Sequence, residues 1–212
     1  MKRKRSKGII TQGTLLLVGM AFLTSFAWAD TGPATDSLKG TLDKIINVLN
    51  DPSLKTPGKE NERNEILFTL IMERFDEEAF ARRALGVHWT KRTEEEKKEF
   101  VEVFSDLLGR TYLDKIDSHL TKDKNFSKKN ILYLDESARG DYVVITTQIL
   151  TADDAKIPVH YLFKNNQGKW LVCDVAIEGV SIAKNYRAQF KEILASSSFA
   201  DLISKLKSKQ QK

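Results

Sequence analysis

Cysteine and histidine are scarce in this 212-residue chain, and their scarcity limits the chemistry that it can support. Cys173 is the only cysteine, so no disulfide can form within the chain. We interpret it as a small buried hydrophobic residue rather than a reactive thiol. The three histidines are His88, His119 and His160, and none has a second ligand at metal spacing. The sequence therefore predicts no metal site.

Several motifs of nucleotide and hydrolase chemistry are also missing. The chain contains no P-loop, no G-x-G-x-x-G, no H-E-x-x-H and no G-x-S-x-G element. A catalytic Cys–His pair would require Cys173 beside His160 on a neighbouring strand. Because Cys173 lies within a predicted strand and not at an electropositive helix end, we do not favour this pair.

The net positive charge of the chain comes from its N-terminal residues. Five basic residues lie between Lys2 and Lys7, an apolar run extends from Leu15 to Phe26, and Ala27-Trp28-Ala29 is an A-x-A cleavage site. This pattern predicts a cleaved signal peptide over residues 1–29, with a retained N-terminal anchor as the alternative. The rest of the chain has 29 basic and 29 acidic residues, so its charge does not indicate a nucleic-acid partner. Residues 30–212 are enough for a single domain with a sizeable core.

Helical periodicity dominates the first half of this predicted domain. Apolar stripes predict helices that begin near Thr35-Asp36, Lys59 and Asp76, and a long helix that begins at Thr93. Thr93 and Glu96 have the spacing of a capping box. Gly109 interrupts the long helix, which indicates a bend or the close approach of another element.

Alternating strands follow the helices. The pattern predicts strands at 131–134, 142–150, 157–164 and 170–177, joined by short polar turns, and then two more helices from about Ile182 and Ser198. The fold class is therefore α+β, with a bent antiparallel sheet of about four strands packed against several helices.

The stretch from Lys169 to Phe190 joins the last strand to a helix through Glu178-Gly179. Two carboxylates in it, Asp174 and Glu178, allow two interpretations. They could perform acid–base chemistry in a pocket, or they could accept hydrogen bonds from helix ends and pair with arginines; we favour the structural role. The large apolar residues of one sheet face and of the helices fit either a filled core or a hollow one.

Four segments together resemble the MlaC family of toluene-tolerance proteins, the auxiliary components of a retrograde phospholipid transport system. They are FDEEAFARRALGVHW (75–89), TEEEKKEFVEVFSDLLGRTYLDKI (93–116), IPVHYLF (157–163) and DVAIEGVSIAKNYRAQF (174–190). The last segment is the most specific. Cys173, where the family would have a larger residue, and His160, where it would have an acidic one, depart from the family pattern.

The resemblance implies a strongly bent sheet with an apolar phospholipid pocket beneath helices, no catalysis and no cofactor other than the bound lipid. It implies a periplasmic phospholipid carrier that shuttles lipid between an outer-membrane lipoprotein–porin complex and an inner-membrane ABC transporter with a lipid-binding ring, and so maintains outer-membrane asymmetry. The alternatives are a small-molecule enzyme that uses Asp174 or Glu178, and an adaptor with a filled core.

Candidate site residues follow from combining this resemblance with the apolar stripes. The predicted pocket-lining residues are Phe104, Leu108, Tyr112, Val143, Ile145, Val159, Tyr161 and Ile177. The cations expected near a head group are Arg82, Arg83 and Arg187.

Overall fold

The computed structural model describes residues 32–120 and 126–210, apart from the side chains of residues 114–120. The predicted signal peptide and the side chain of His119 lie outside the described part.

Within the described residues, six α-helices and five strands follow one another in the order α1–α4, β1–β5, α5 and α6. The helices are α1 (Pro33–Asn50), α2 (Glu60–Met72), α3 (Glu77–Leu85), α4 (Glu94–Leu120), α5 (Ile182–Ser196) and α6 (Phe199–Gln210). The strands are β1 (Ile131–Arg139), β2 (Tyr142–Leu150), β3 (Lys156–Asn166), β4 (Lys169–Ile177) and β5 (Val180–Ser181). No helix in the described ranges combines the length and apolar character needed to cross a membrane.

The long helix α4 begins as its capping box predicts. The Thr93 hydroxyl accepts from the Glu96 amide at 3.2 Å, and the Glu96 carboxylate accepts from the Thr93 amide at 2.9 Å. The start of α1 differs from the prediction, since the helix already begins at Pro33, which fits the first helical position. Its cap comes from the sheet, where the carboxylate of Glu136 accepts from the Thr35 amide at 2.8 Å.

The sheet is a consecutive antiparallel meander with the strand order β1-β2-β3-β4-β5. Its α+β architecture confirms the predicted fold class. The fifth strand was not predicted because it is only two residues long and follows the two-residue turn Glu178-Gly179. The first strand is longer than predicted, because its second half is polar and lacks the alternation that indicates a strand.

A β-bulge interrupts the pairing of β3 with β4. Leu162 pairs with Asp174 and Phe163 pairs with Val172, so Cys173 is the extra residue. The bulge adds one residue between Val172 and Val175, the two inward-facing valines of β4. It therefore turns Asp174 toward the start of α5, where its hydrogen bonds are made.

The core between the sheet and the helices contains a cluster of aromatic rings. Phe100, Phe104 and Phe190 lie with ring centroids 5.2 to 5.6 Å apart, in stacked and edge-on arrangements. Phe80, Tyr186 and Phe199 extend this cluster across α3, α5 and α6. Contacts of this geometry each stabilise a fold by about 0.5–1.5 kcal/mol beyond simple burial. This end of the core is therefore filled.

Candidate functional site

An apolar cavity of about 250 Å³ lies between the sheet and the helices. Helices α1 to α5 and strands β1 to β4 all contribute residues to its wall. The helical side of the lining is Leu38, Thr41, Leu42, Ile45, Ile46, Ile71, Met72, Arg74, Phe75, Glu77, Phe80, Phe104, Ser105, Leu108, Gly109, Tyr112 and Ile182. The remaining lining residues are Phe126, Ile131, Ile149, Val159, Tyr161, Val172, Val175 and Ile177.

The sheet side of the wall follows from strand alternation modified by the bulge. On β3, Val159 and Tyr161 are two residues apart and share the inner face. On β4, Val172 and Val175 both line the cavity, and their spacing of three reflects the extra residue Cys173. Without the bulge, one of these two valines would face away from the cavity.

Six of the eight predicted pocket residues lie in the lining, and two do not. The six are Phe104, Leu108, Tyr112, Val159, Tyr161 and Ile177. Val143 and Ile145 occupy the same face of β2 as Ile149, which does line the cavity. Ile145 is fully buried within the filled part of the core, and Val143 packs against that part. The cavity therefore occupies only one end of the sheet face.

Two tyrosines line the cavity, Tyr161 on β3 and Tyr112 on α4. Burial raises the pKa of Tyr161 to about 12, and the loss of hydration that burial causes also raises the pKa of Tyr112. Both phenols are therefore neutral at physiological pH and add no charge to the cavity.

Arg74 is the cation that sequence reasoning missed. It lies between α2 and α3, where its carbonyl accepts from the Val172 amide at 2.8 Å and anchors this segment to β4. Its Nε donates to the Thr41 hydroxyl at 2.9 Å, and its Nη1 donates to the Ser37 hydroxyl at 2.7 Å and the Trp170 carbonyl at 3.0 Å. An arginine two residues before a helix cap does not by itself indicate a binding site, since loop arginines are common on surfaces.

Glu77 is the other charged residue in the described lining. It lies in the first turn of α3, a position that the helix dipole favours for an acidic side chain. Asp76 caps this helix, accepting from the Ala79 amide at 2.9 Å, as the sequence predicted.

The three arginines expected near a head group lie outside the cavity lining. Arg82 pairs with Glu78 at 2.7 Å, and Arg83 lies 3.7 Å from the carboxylate of Asp174. The Nε of Arg187 donates to the carbonyl of Arg83 at 2.7 Å. The Arg82 pair lies within α3, whereas the contacts of Arg83 and Arg187 join α3 to β4 and α5.

Asp174 makes structural contacts with the start of α5. Its carboxylate accepts from the Ser181 hydroxyl at 2.6 Å and from the amides of Val175 and Ala183 at 2.9 and 3.1 Å. Glu178 is exposed in a turn, and neither carboxylate lines the cavity.

Cys173 is fully buried, and burial raises the pKa of its thiol to about 11, which fits a structural residue. His160 contacts the Thr146 hydroxyl at 3.1 Å and pairs across the sheet with Ala176, three residues along β4 from Cys173. No group of three or more His, Cys, Asp or Glu side chains within residues 32–113 and 126–210 is placed to hold a metal ion.

Comparison with known proteins identifies the family. The model of the family described as MlaC protein matches residues 39–208. The chain belongs to the MlaC family. This match covers most of the chain and confirms the resemblance drawn from the four sequence segments.

A solved structure shares the MlaC fold of this chain. It is that of a phospholipid-binding protein from Ralstonia solanacearum in complex with a phospholipid. The two share 22% sequence identity with a TM-score of 0.69, and the alignment covers 85% of this chain and 98% of the other. A search of curated proteins gives no match.

Proposed function

We propose that this protein binds a phospholipid and encloses its acyl chains in the apolar cavity. The observation that carries the proposal is the cavity itself, about 250 Å³ of space walled almost entirely by hydrocarbon side chains. A cavity with this composition offers few hydrogen-bonding partners to water, so it suits an apolar ligand. The neighbour of the same fold that was solved with a phospholipid supports this choice of ligand class.

The free energy of hydration explains why such a ligand needs a protein. A diacyl phospholipid has roughly 30 tail methylenes, and exposing them to water at about 0.8 kcal/mol each costs on the order of 20 kcal/mol. Transfer from a bilayer to an apolar cavity exchanges one apolar environment for another. Loading and unloading then require no fuel in the carrier, and direction is set by its partners.

The finer role that we propose is that of a periplasmic carrier. After export and cleavage of residues 1–29, residues 30–212 would act as a single domain that shuttles phospholipid and maintains outer-membrane asymmetry. Its proposed partners are an outer-membrane lipoprotein–porin complex and an inner-membrane ABC transporter with a lipid-binding ring. Membership of the MlaC family and the signal-like N-terminus support this role. Binding without catalysis agrees with the structural contacts of Asp174.

The decisive experiment is organic extraction of the purified protein followed by lipid mass spectrometry. We expect about one phospholipid per protein molecule. An empty extract, together with no uptake from labelled phospholipid vesicles, would rule out the proposal.

A matched pair of variants connects the cargo to the cavity. Leu108→Trp places an indole in the lining, whereas Leu194→Trp makes the same change at a partly buried helical leucine outside it. We expect Leu108→Trp to lose most of the bound lipid and Leu194→Trp to keep it, with both variants folded by circular dichroism. Equal lipid content in the two would place the cargo elsewhere.

A further inference from the structure

A second pocket borders α4 on the face that is turned away from the apolar cavity. It measures about 530 Å³ and lies between α2, α4 and the C-terminal end of α6. More of its surface comes from polar than from apolar atoms, which is the reverse of the cavity. Its hydrogen-bonding side chains include Asn61, Asn64, Glu65, Arg110, Lys209 and Gln210. A polar space and an apolar space therefore lie on the two sides of one helical wall.

The wall between the two spaces is thin where α2 meets α4. Phe68 of α2 lines the pocket, and Gly109 of α4 lines the cavity. The ring of Phe68 covers Gly109 so closely that an added Cβ would collide with it. Because Gly109 has no side chain, the wall at this contact is one aromatic ring against a helix backbone. Movement of the ring away from Gly109 would connect the pocket with the cavity.

The helix that carries Phe68 is held loosely. Only Arg63 and Leu67 among the 13 residues of α2 are buried, whereas seven of the 18 residues of α1 are. A segment with few buried side chains moves away from its neighbours at a small cost in free energy. The side-chain oxygen of Asn64 is also buried and accepts no hydrogen bond from the residues that the structure describes. An unpaired acceptor of this kind disfavours the closed position of α2 and is relieved when the helix moves.

The helical wall is also easier for a lipid to cross than the sheet. An acyl chain that passes between two strands has to break the hydrogen bonds that join them, whereas one that passes between two helices only displaces side chains. A charged head group that leaves water needs new hydrogen-bonding partners. The polar pocket supplies such partners beside the contact of Phe68 with Gly109.

We propose that the polar pocket is the entrance by which a phospholipid reaches the cavity, and that the ring of Phe68 is its gate. The acyl chains pass between α2 and α4 at Gly109, while the head group stays in the polar pocket. The inference rests on the proposed phospholipid binding and adds the route of loading. Because a lower barrier speeds passage in both directions alike, a gate residue sets the rates of uptake and release without setting the amount bound at equilibrium.

A fluorescence assay measures the rates and the amount bound in one experiment. The purified protein is mixed with vesicles of phosphatidylethanolamine and phosphatidylglycerol that contain a phospholipid with a pyrene-labelled acyl chain. Excimer fluorescence falls as labelled lipid leaves the vesicles for the protein, which gives a rate of uptake and an end point. Addition of unlabelled vesicles to the loaded protein gives the rate of release.

Removal of the Phe68 ring tests the gate. For Phe68→Ala we expect uptake and release to become roughly tenfold faster, the effect of a barrier lower by about 1.4 kcal/mol, with an end point close to that of wild type. Leu70→Ala is the matched control, because Leu70 is a partly buried apolar residue of the same helix that lines neither space. It should leave both rates unchanged. Phe68→Leu keeps apolar packing and gives intermediate rates, and it replaces Phe68→Ala if that variant does not fold.

Obstruction of the pocket tests the route independently of the ring. Asn61→Cys places a thiol at an exposed position of the lining, where it is labelled with a polyethylene glycol maleimide. The native Cys173 is fully buried, so it does not compete for the reagent. We expect the label to slow uptake several-fold. The same label on Arg139→Cys, at the exposed end of β1, is the control and leaves the rate unchanged.

The outcomes separate the route from the function. If the wild type takes up no labelled lipid and its organic extract is empty, the proposed function fails. If the wild type binds lipid but the Phe68 variants have the rates of Leu70→Ala, and the two labelled variants have equal rates, the function stands and the entrance is overturned. A lower end point with unchanged rates in Phe68→Ala shows that the ring is a fixed part of the wall, which also overturns the proposal.

Discussion

The hydroxyl of Ser181 donates to the carboxylate of Asp174 at 2.6 Å, and this hydrogen bond joins the end of β4 to the start of α5. The same hydroxyl accepts from the Lys184 amide at 3.1 Å and so caps α5. Asp174 also accepts from the Ala183 amide. One buried carboxylate therefore fixes the cap and the first turn of the helix, and with them the angle between sheet and helix.

Replacement of Asp174 by asparagine tests this relationship. The amide keeps the shape of the side chain but replaces one acceptor oxygen with a donor, which faces existing donors. We expect the free energy of unfolding to fall by about 2–3 kcal/mol, as for a lost hydrogen bond to a charged group. Urea denaturation followed by circular dichroism measures the change. Glu178→Gln, an exposed carboxylate four residues on, should stay within about 0.5 kcal/mol of wild type.

Two glycines in helices should respond in opposite directions to alanine. The ring of Phe68 from α2 covers Gly109 of α4 so closely that an added Cβ would collide with it. Gly40 of α1 has no atom within 4 Å of an added Cβ. We expect Gly40→Ala to stabilise the protein by about 0.5–1 kcal/mol through helix propensity. Gly109→Ala should destabilise it by about 1–2 kcal/mol despite the same propensity gain. Thermal denaturation of the two variants compares them directly, and stabilisation by both would show that Phe68 yields without cost.

Local sequence signals predicted most of the fold because each has a short-range physical cause. The capping box at Thr93, the Asp76 cap and the predicted strand 142–150 all appear in the structure. The crowding at Gly109 was also anticipated. Signals failed where the cause was distant in sequence. Glu136 caps α1 from a strand about one hundred residues away, and no local pattern indicates that contact.

The cavity was only partly predictable for a similar reason. Ile145 and Ile149 have the same alternation on β2, yet Ile145 is enclosed by the filled core and Ile149 faces open space. An apolar stripe has the same pattern whether its neighbours fill the space or leave it empty. Arg74 was missed because its position depends on hydroxyls of α1, which only the tertiary structure brings near it.

Two strained turns offer a prediction about stability. Glu178 and Gln167 each occupy the first position of a two-residue hairpin turn with positive φ, 51° and 52°. This region is unfavourable for most side chains, and asparagine is well suited to it. We expect Glu178→Asn and Gln167→Asn to raise the free energy of unfolding by about 0.5–1 kcal/mol each, and the double variant to show the sum. A loss of stability in either variant would mean that the native side chain makes a contact that compensates for the backbone strain.

Alkaline pH should weaken the fold partly through Tyr161. Burial raises its pKa to about 12, whereas the unfolded chain ionises near the ordinary tyrosine value of about 10. Between these values the unfolded state has lost the proton and the folded state has kept it. The free energy of unfolding therefore falls as pH rises through this window, and the Tyr161 contribution does not vary below it. Tyr161→Phe should show a shallower fall between about pH 10 and pH 12 in urea denaturation. Parallel curves for the two proteins would contradict this role.

The buried thiol of Cys173 should report on the opening of the domain. It is fully buried, and burial raises its pKa to about 11. At pH 8 it therefore has roughly a hundredfold or more less thiolate than an ordinary cysteine, and a disulfide reagent has no access to it. We expect labelling in the native protein to be at least a thousandfold slower than in urea at the same pH, as the product of low ionisation and rare opening.

Loading with phospholipid should slow labelling further, because a ligand that binds the closed state lowers the population of the open one. Labelling at a rate near that in urea would show that β4 is accessible in the native state. An unchanged rate after loading would mean that the cargo does not stabilise this strand.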